Sequence, residues 1–155
     1  MRPGRCKRPL GTDVCGLDAG HEGECGKPWR PWQRGNYVPA PHYYALNQAC
    51  TLINRAFNMK GHCYLVGSAL DKRDYRDVDV RFIMDDDEYA RLFKAGGGQL
   101  DPLWTLICLT TSKWLSEHSD LPIDFQIQQQ SHANHSYEGE RHPLGYFAQA
   151  QEDCD

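Results

Sequence analysis

The chain has 155 residues, 40% of them hydrophobic, and a formal net charge of −4. That length suits one modest core with a short appendage, and the apolar content argues against a disordered chain. No apolar run approaches the roughly 20 residues of a membrane span and the first residues lack the apolar middle of a signal peptide, so the expectation is a soluble cytoplasmic protein with no membrane partner.

The charge is unevenly spread: residues 1–35 carry +3 and the remainder −7. A basic arm suits contact with nucleic acid, whereas an acidic body suits the holding of cations. Of the seven cysteines, three (Cys6, Cys15 and Cys25) crowd into the first 25 residues. In a cytoplasmic chain such crowding favours metal over disulfides.

Residues 1–27 contain "CKRPLGTDVCGLDAGHEGEC", with Cys6, Cys15, His21 and Cys25 as potential ligands. Four N/S donors match a structural zinc site. A glycine-rich segment this short cannot bury a core, and metal binding can supply on the order of 10 kcal/mol of folding free energy. One structural Zn²⁺ is therefore expected. The segment resembles short Cys/Cys/His/Cys metal-binding segments appended to bacteriophage proteins, which would place the protein in the host-cell cytoplasm. Residues 28–41, "PWRPWQRGNYVPAP", read as a Pro/Trp-rich connector. Trp29 and Trp32 are expected to pack it onto the body; the alternative is stacking on bases beside Arg30 and Arg34.

The body is read as residues 42–130. Leu46, Ala49, Cys50, Ile53 and Phe57 recur at helical steps. Cys63 to Val66 reads as a strand stopped by Gly67-Ser68, and Val78 to Met84 as a second strand. Two helices follow. The first is acidic in its opening turn and stopped by glycines. The second is capped by Asp101 and has an apolar face of Leu103, Leu106, Ile107, Thr110 and Trp114. "PIDFQIQQQ" alternates as a third strand. Cys50, Cys63 and Cys108 lie on apolar faces and are expected in the core. The order implies an α/β (α+β) body: a small mixed sheet with covering helices.

Strand alternation puts Asp77, Asp79 and Arg81 on one face and Val78, Val80 and Phe82 on the other. Asp124, between Ile123 and Phe125, also faces away from the core if its strand is buried on one side. Carboxylates brought together repel, and divalent cations offset them. Three can hold two metals roughly 3.5–4 Å apart, the arrangement of phosphoryl transfer. Gly67-Ser68 lets backbone N–H groups approach a phosphate.

"VGSALDKRDYRDVDV" followed by "PIDFQI" resembles the nucleotidyltransferase superfamily of DNA polymerase beta. The resemblance implies that fold and the transfer of a nucleoside monophosphate from a nucleoside triphosphate to a hydroxyl. It implies that Gly67 and Ser68 hold the triphosphate, and that Asp77, Asp79 and Asp124 are catalytic and bind two Mg²⁺ or Mn²⁺. Lys72 and Arg73 follow the Gly-Ser turn later than the family's usual basic residue and are assigned to the phosphates. Arg81 departs from a purely acidic face and suggests an internal counter-ion that competes with metal. The acceptor expected is an RNA or tRNA end, a protein or a small molecule. The alternative is a non-catalytic zinc module, binding nucleic acid or protein, on an inactive scaffold.

Residues 131–155 read as a polar tail. Its His132, His135 and His142 have no ligand spacing, while Arg141 and His142 are candidates for the mouth of the site.

Overall fold

The computed structural model describes residues 35–145 throughout and, before them, the backbone of three short strands. The chain divides into two compact units, Met1–Arg34 and Gly35–Asp155. In the first, β1 (Pro9–Leu10), β2 (Asp13–Cys15) and β3 (Pro28–Trp29) form an antiparallel sheet in that order. Of the expected zinc ligands, Cys6, His21 and Cys25 lie outside the described residues, and only the backbone of Cys15 is described. Trp32 lies outside them as well.

In the second unit, helix α1 (Ala40–Ala56) buries Leu46, Ala49, Cys50 and Ile53, the apolar face read from their spacing. Strand β4 (Gly61–Val66) follows, then a single turn, α2 (Ser68–Asp71), and β5 (Val78–Met84). α3 (Asp86–Leu92) and α4 (Pro102–Ser119) carry the chain over to β6 (Ile123–Gln129). Parallel strands need such a crossover, and β5 and β6 are parallel, with Val78 opposite Ile123 and Asp79 opposite Asp124. β4 is antiparallel to β5.

Within the segment read as a polar tail, residues 131–145 continue the fold. α5 (Gln130–Ser136) leads to β7 (His142–Leu144), which pairs antiparallel with β4. Two buried asparagines of α1 capture it. Asn54 accepts from the Cys63 backbone N–H at 2.9 Å and donates to the Leu144 carbonyl at 3.0 Å. Asn47 accepts from the Gly145 N–H at 2.7 Å. Gly145 has φ +84°, and a Cβ there would lie 2.6 Å from the Asn54 amide nitrogen. The result is an α+β unit on a small mixed sheet in the order β6-β5-β4-β7. No described helix is long and apolar enough to cross a membrane.

α4 is rotated from its expected orientation. Leu103 is 44% and Leu106 59% exposed, whereas Trp104, Cys108, Leu115 and Ser119 are buried. The cause lies in β6, which is an edge strand. Its outward N–H groups at Ile123 and Phe125 donate to Ser116 Oγ (3.0 Å) and Ser112 Oγ (2.9 Å), and Trp104 Nε1 donates to the Ile127 carbonyl (2.9 Å). Trp104, Ser112 and Ser116 lie on one i+4 row. That row seals an edge that would otherwise present unpaired backbone groups. The apolar core, including Val78, Val80, Phe82, Phe125 and Ile127, lies between the sheet and α1 with α4.

Candidate active site on the face away from the core

Asp79 sits near the start of an inner strand of the sheet, opposite Val66 at the end of β4 and Asp124 on β6. Alternation along β5 and β6 sends Asp79, Arg81, Asp124 and Gln126 to the face away from the apolar core, where all four are partly exposed. Of the three carboxylates predicted to meet, Asp79 and Asp124 stand side by side across a parallel pair.

They do not meet alone. Arg81 Nη2 donates to Asp79 Oδ1 at 2.8 Å and to Asp124 Oδ2 at 2.9 Å, while its Nη1 donates to the Asp124 carbonyl at 2.8 Å. Its side chain is only 14% exposed, against 22% for Asp79 and 40% for Asp124. Burial raises the Asp79 pKa; the Arg81 charge opposes this, and Asp77 and Asp124 add to the rise. Asp77 stands one residue before β5 and pairs with the exposed Arg76 at 3.1 Å.

Gly67 ends β4 with φ 76° and ψ −156°, a conformation a side chain would strain. A Cβ at this position would collide with Asp79 Oδ2. The backbone of the Gly-Ser turn is thus pressed against the Asp79 carboxylate. Ser68 opens α2 and is partly buried, while Lys72 and Arg73 are exposed on the loop that follows.

A cavity of about 420 Å³ opens here, with Gly67, Asp79, Arg81, Gln128, Tyr137 and Arg141 in its wall. Ser68, Lys72, Arg73, Asp77, Asp124 and His142 are not part of that wall. Arg141 is held by Asn134 Oδ1 at 2.8 Å and the Ala133 carbonyl at 2.7 Å. It places a fixed cation in that wall, whereas Lys72 and Arg73 stand outside it. Sequence reading missed Gln128 and Tyr137. The signal for Gln128 was the period of two in Asp124-x-Gln126-x-Gln128, which keeps one face; Tyr137 had no comparable signal.

Carboxylates are the donor type that Mg²⁺ prefers, and Asp79 and Asp124 suit it. Among the described residues, however, no three His, Cys, Asp or Glu side chains converge closely enough to hold a metal ion. Between Asp79 and Asp124 the cation in place is a guanidinium. No protein-family model matches the chain, and no curated protein or solved structure matches it.

Proposed function

We propose that the chain is a metal-dependent nucleotidyltransferase with a minimal DNA polymerase beta-like fold and an N-terminal zinc segment. The carrying observation is the register of β5 and β6, with Asp79 opposite Asp124 beside the positive-φ turn at Gly67. In this reading Asp79 and Asp124, with Asp77 nearby, would hold the divalent cations in place of the Arg81 guanidinium. When bound, the cations lower the pKa of the acceptor hydroxyl and neutralise polyphosphate charge.

The chain's own groups grip the polyphosphate: the backbone at Gly67 and the Arg141 guanidinium in the cavity wall, with the Ser68 hydroxyl next to that turn. An acceptor hydroxyl oxygen then bonds to the α-phosphorus and gives up its proton to solvent. The bond to the β-phosphate oxygen breaks, and pyrophosphate leaves with the electron pair. The basic first 35 residues favour an RNA or tRNA acceptor.

The Arg81 bridge favours a second reading, in which an internal cation has replaced metal and the body is a non-catalytic scaffold for binding nucleic acid or protein. Incubation with each α-labelled nucleoside triphosphate, Mg²⁺ or Mn²⁺, and total RNA separates the two. Label transfer that Asp79→Asn and Asp124→Asn abolish supports the enzyme. Absence of transfer, with salt-sensitive RNA binding retained, supports the scaffold.

A further inference from the structure

A second cavity, of about 400 Å³, adjoins the first at the outer end of β6. The two share Gln128 and Tyr137 but differ in chemistry. The first holds Asp79, Arg81, Glu138, Glu140 and Arg141. The second contains no Asp, Glu, Lys or Arg; its polar groups are the amides of Gln99, Gln126, Gln128 and Gln129 and the His132 imidazole, with Tyr89, Trp104 and Tyr137 as aromatic walls.

The second cavity has a defined wall. Gly96, Gly97 and Gly98 all have positive φ, at 92°, 71° and 77°. A Cβ at Gly97 would collide with the Tyr89 hydroxyl, so the loop closes on that ring as only glycine allows. Trp104 is fixed by its bond to the Ile127 carbonyl. Gln126 Nε2 donates to Asp124 Oδ2 at 3.2 Å, which orients one amide and links the neutral cavity to the acidic pair.

A carboxamide offers a donor and an acceptor side by side, the pattern that matches the edge of a nucleobase. Aromatic faces stack on bases. A nucleotide is itself divided into a charged tail and a neutral ring. We propose that the neutral cavity is the nucleobase subsite, with the ring against Tyr137, its edge on the glutamine amides, and the phosphates toward Gly67 and Arg141. From Asp124 to Gln128 the strand runs roughly 13 Å, at about 3.3 Å per residue, the scale of an extended nucleotide. The inference rests on the nucleotidyltransferase reading and deepens it: this small chain carries its own base recognition.

The test is calorimetry on the full chain in Mg²⁺, with the four nucleoside triphosphates and inorganic tripolyphosphate as probes. At least one nucleoside triphosphate is expected to bind tighter than tripolyphosphate. Gln99→Ala, at an exposed position outside the first cavity, should weaken that nucleotide while leaving tripolyphosphate within about twofold, and Tyr137→Ala, at an exposed position shared by both cavities, should weaken the nucleotide more than it weakens tripolyphosphate. Loss of a stack worth about 1–3 kcal/mol corresponds to roughly 5- to 150-fold for Tyr137→Ala. If tripolyphosphate binds as tightly as every nucleotide, or both variants bind nucleotide like wild type, the base lies elsewhere and only this inference is lost. If neither probe binds the wild-type chain, the nucleotidyltransferase reading falls and this inference with it.

Discussion

Asp79 and Asp124 share one guanidinium. They stand opposite each other on adjacent parallel strands, and Arg81 Nη2 lies 2.8 Å from one carboxylate and 2.9 Å from the other. Two acids separated by 44 intervening residues are thus joined by a cation from β5 itself. The bridge offsets a repulsion that the register makes unavoidable.

Removing the bridge should expose that repulsion. Arg81→Met keeps the bulk of the side chain and loses the charge. Because the pair is partly exposed, the expected loss is about 1–3 kcal/mol, below the range for a fully buried pair. Urea unfolding measures it. Millimolar Mg²⁺ should return part of the loss in the variant and change wild type little. A variant as stable as wild type, or one indifferent to Mg²⁺, would show that the acids do not depend on a cation.

Gly67 is required by both its backbone angle and its neighbour. Gly67→Ala should cost roughly 1–3 kcal/mol, the range for a strained backbone position, because the new methyl strikes the Asp79 carboxylate. Asp79 must then move, so triphosphate binding should weaken along with thermal stability. A variant that melts with wild type would contradict the contact.

The seal along β6 predicts a paired effect. Ser112→Ala and Ser116→Ala each leave a strand N–H without its partner. Each should cost about 1–2 kcal/mol in chemical denaturation. Leu106→Ser, on the exposed side of α4, should stay within about 0.5 kcal/mol. The opposite ranking would restore the orientation of α4 expected from the sequence.

The core cysteines should be inert in the native state. Burial pushes the Cys108 thiol up to about 11, and burial with the neighbouring Cys50 raises Cys63 well above its ordinary value. Iodoacetamide at pH 8 should spare both in the folded chain and label both in urea, as read by peptide mass spectrometry. The sign for stability follows: above the ordinary thiol value near 8.5, the unfolded chain loses a proton that folded Cys108 keeps. This stabilisation is complete below that value and is lost as pH rises toward about 11. The melting temperature should fall across that interval, and Cys108→Ala should reduce the slope.

The part of the site that was legible depends on local rules. Alternation separated Asp79 and Arg81 from Val78 and Val80, and spacing identified the inner face of α1. The orientation of α4 was not legible. Ser112 and Ser116 look like surface residues until an edge strand is present to receive their hydroxyls, and counting apolar steps then selects the wrong side. The fourth strand was hidden for a similar reason. "HPL" has too few apolar residues to predict a strand, and it is held by pairing with β4 and by Asn47 and Asn54, about ninety residues earlier in the chain.

By itself the sequence determined which side chains share a face within each strand and helix, since that follows from backbone periodicity. Tertiary structure alone decided that β5 and β6 run parallel with Asp79 opposite Asp124, that Arg81 reaches both acids, and that a neutral cavity adjoins the charged one. Register and helix rotation are set by packing between segments far apart in the chain, and no local period records them.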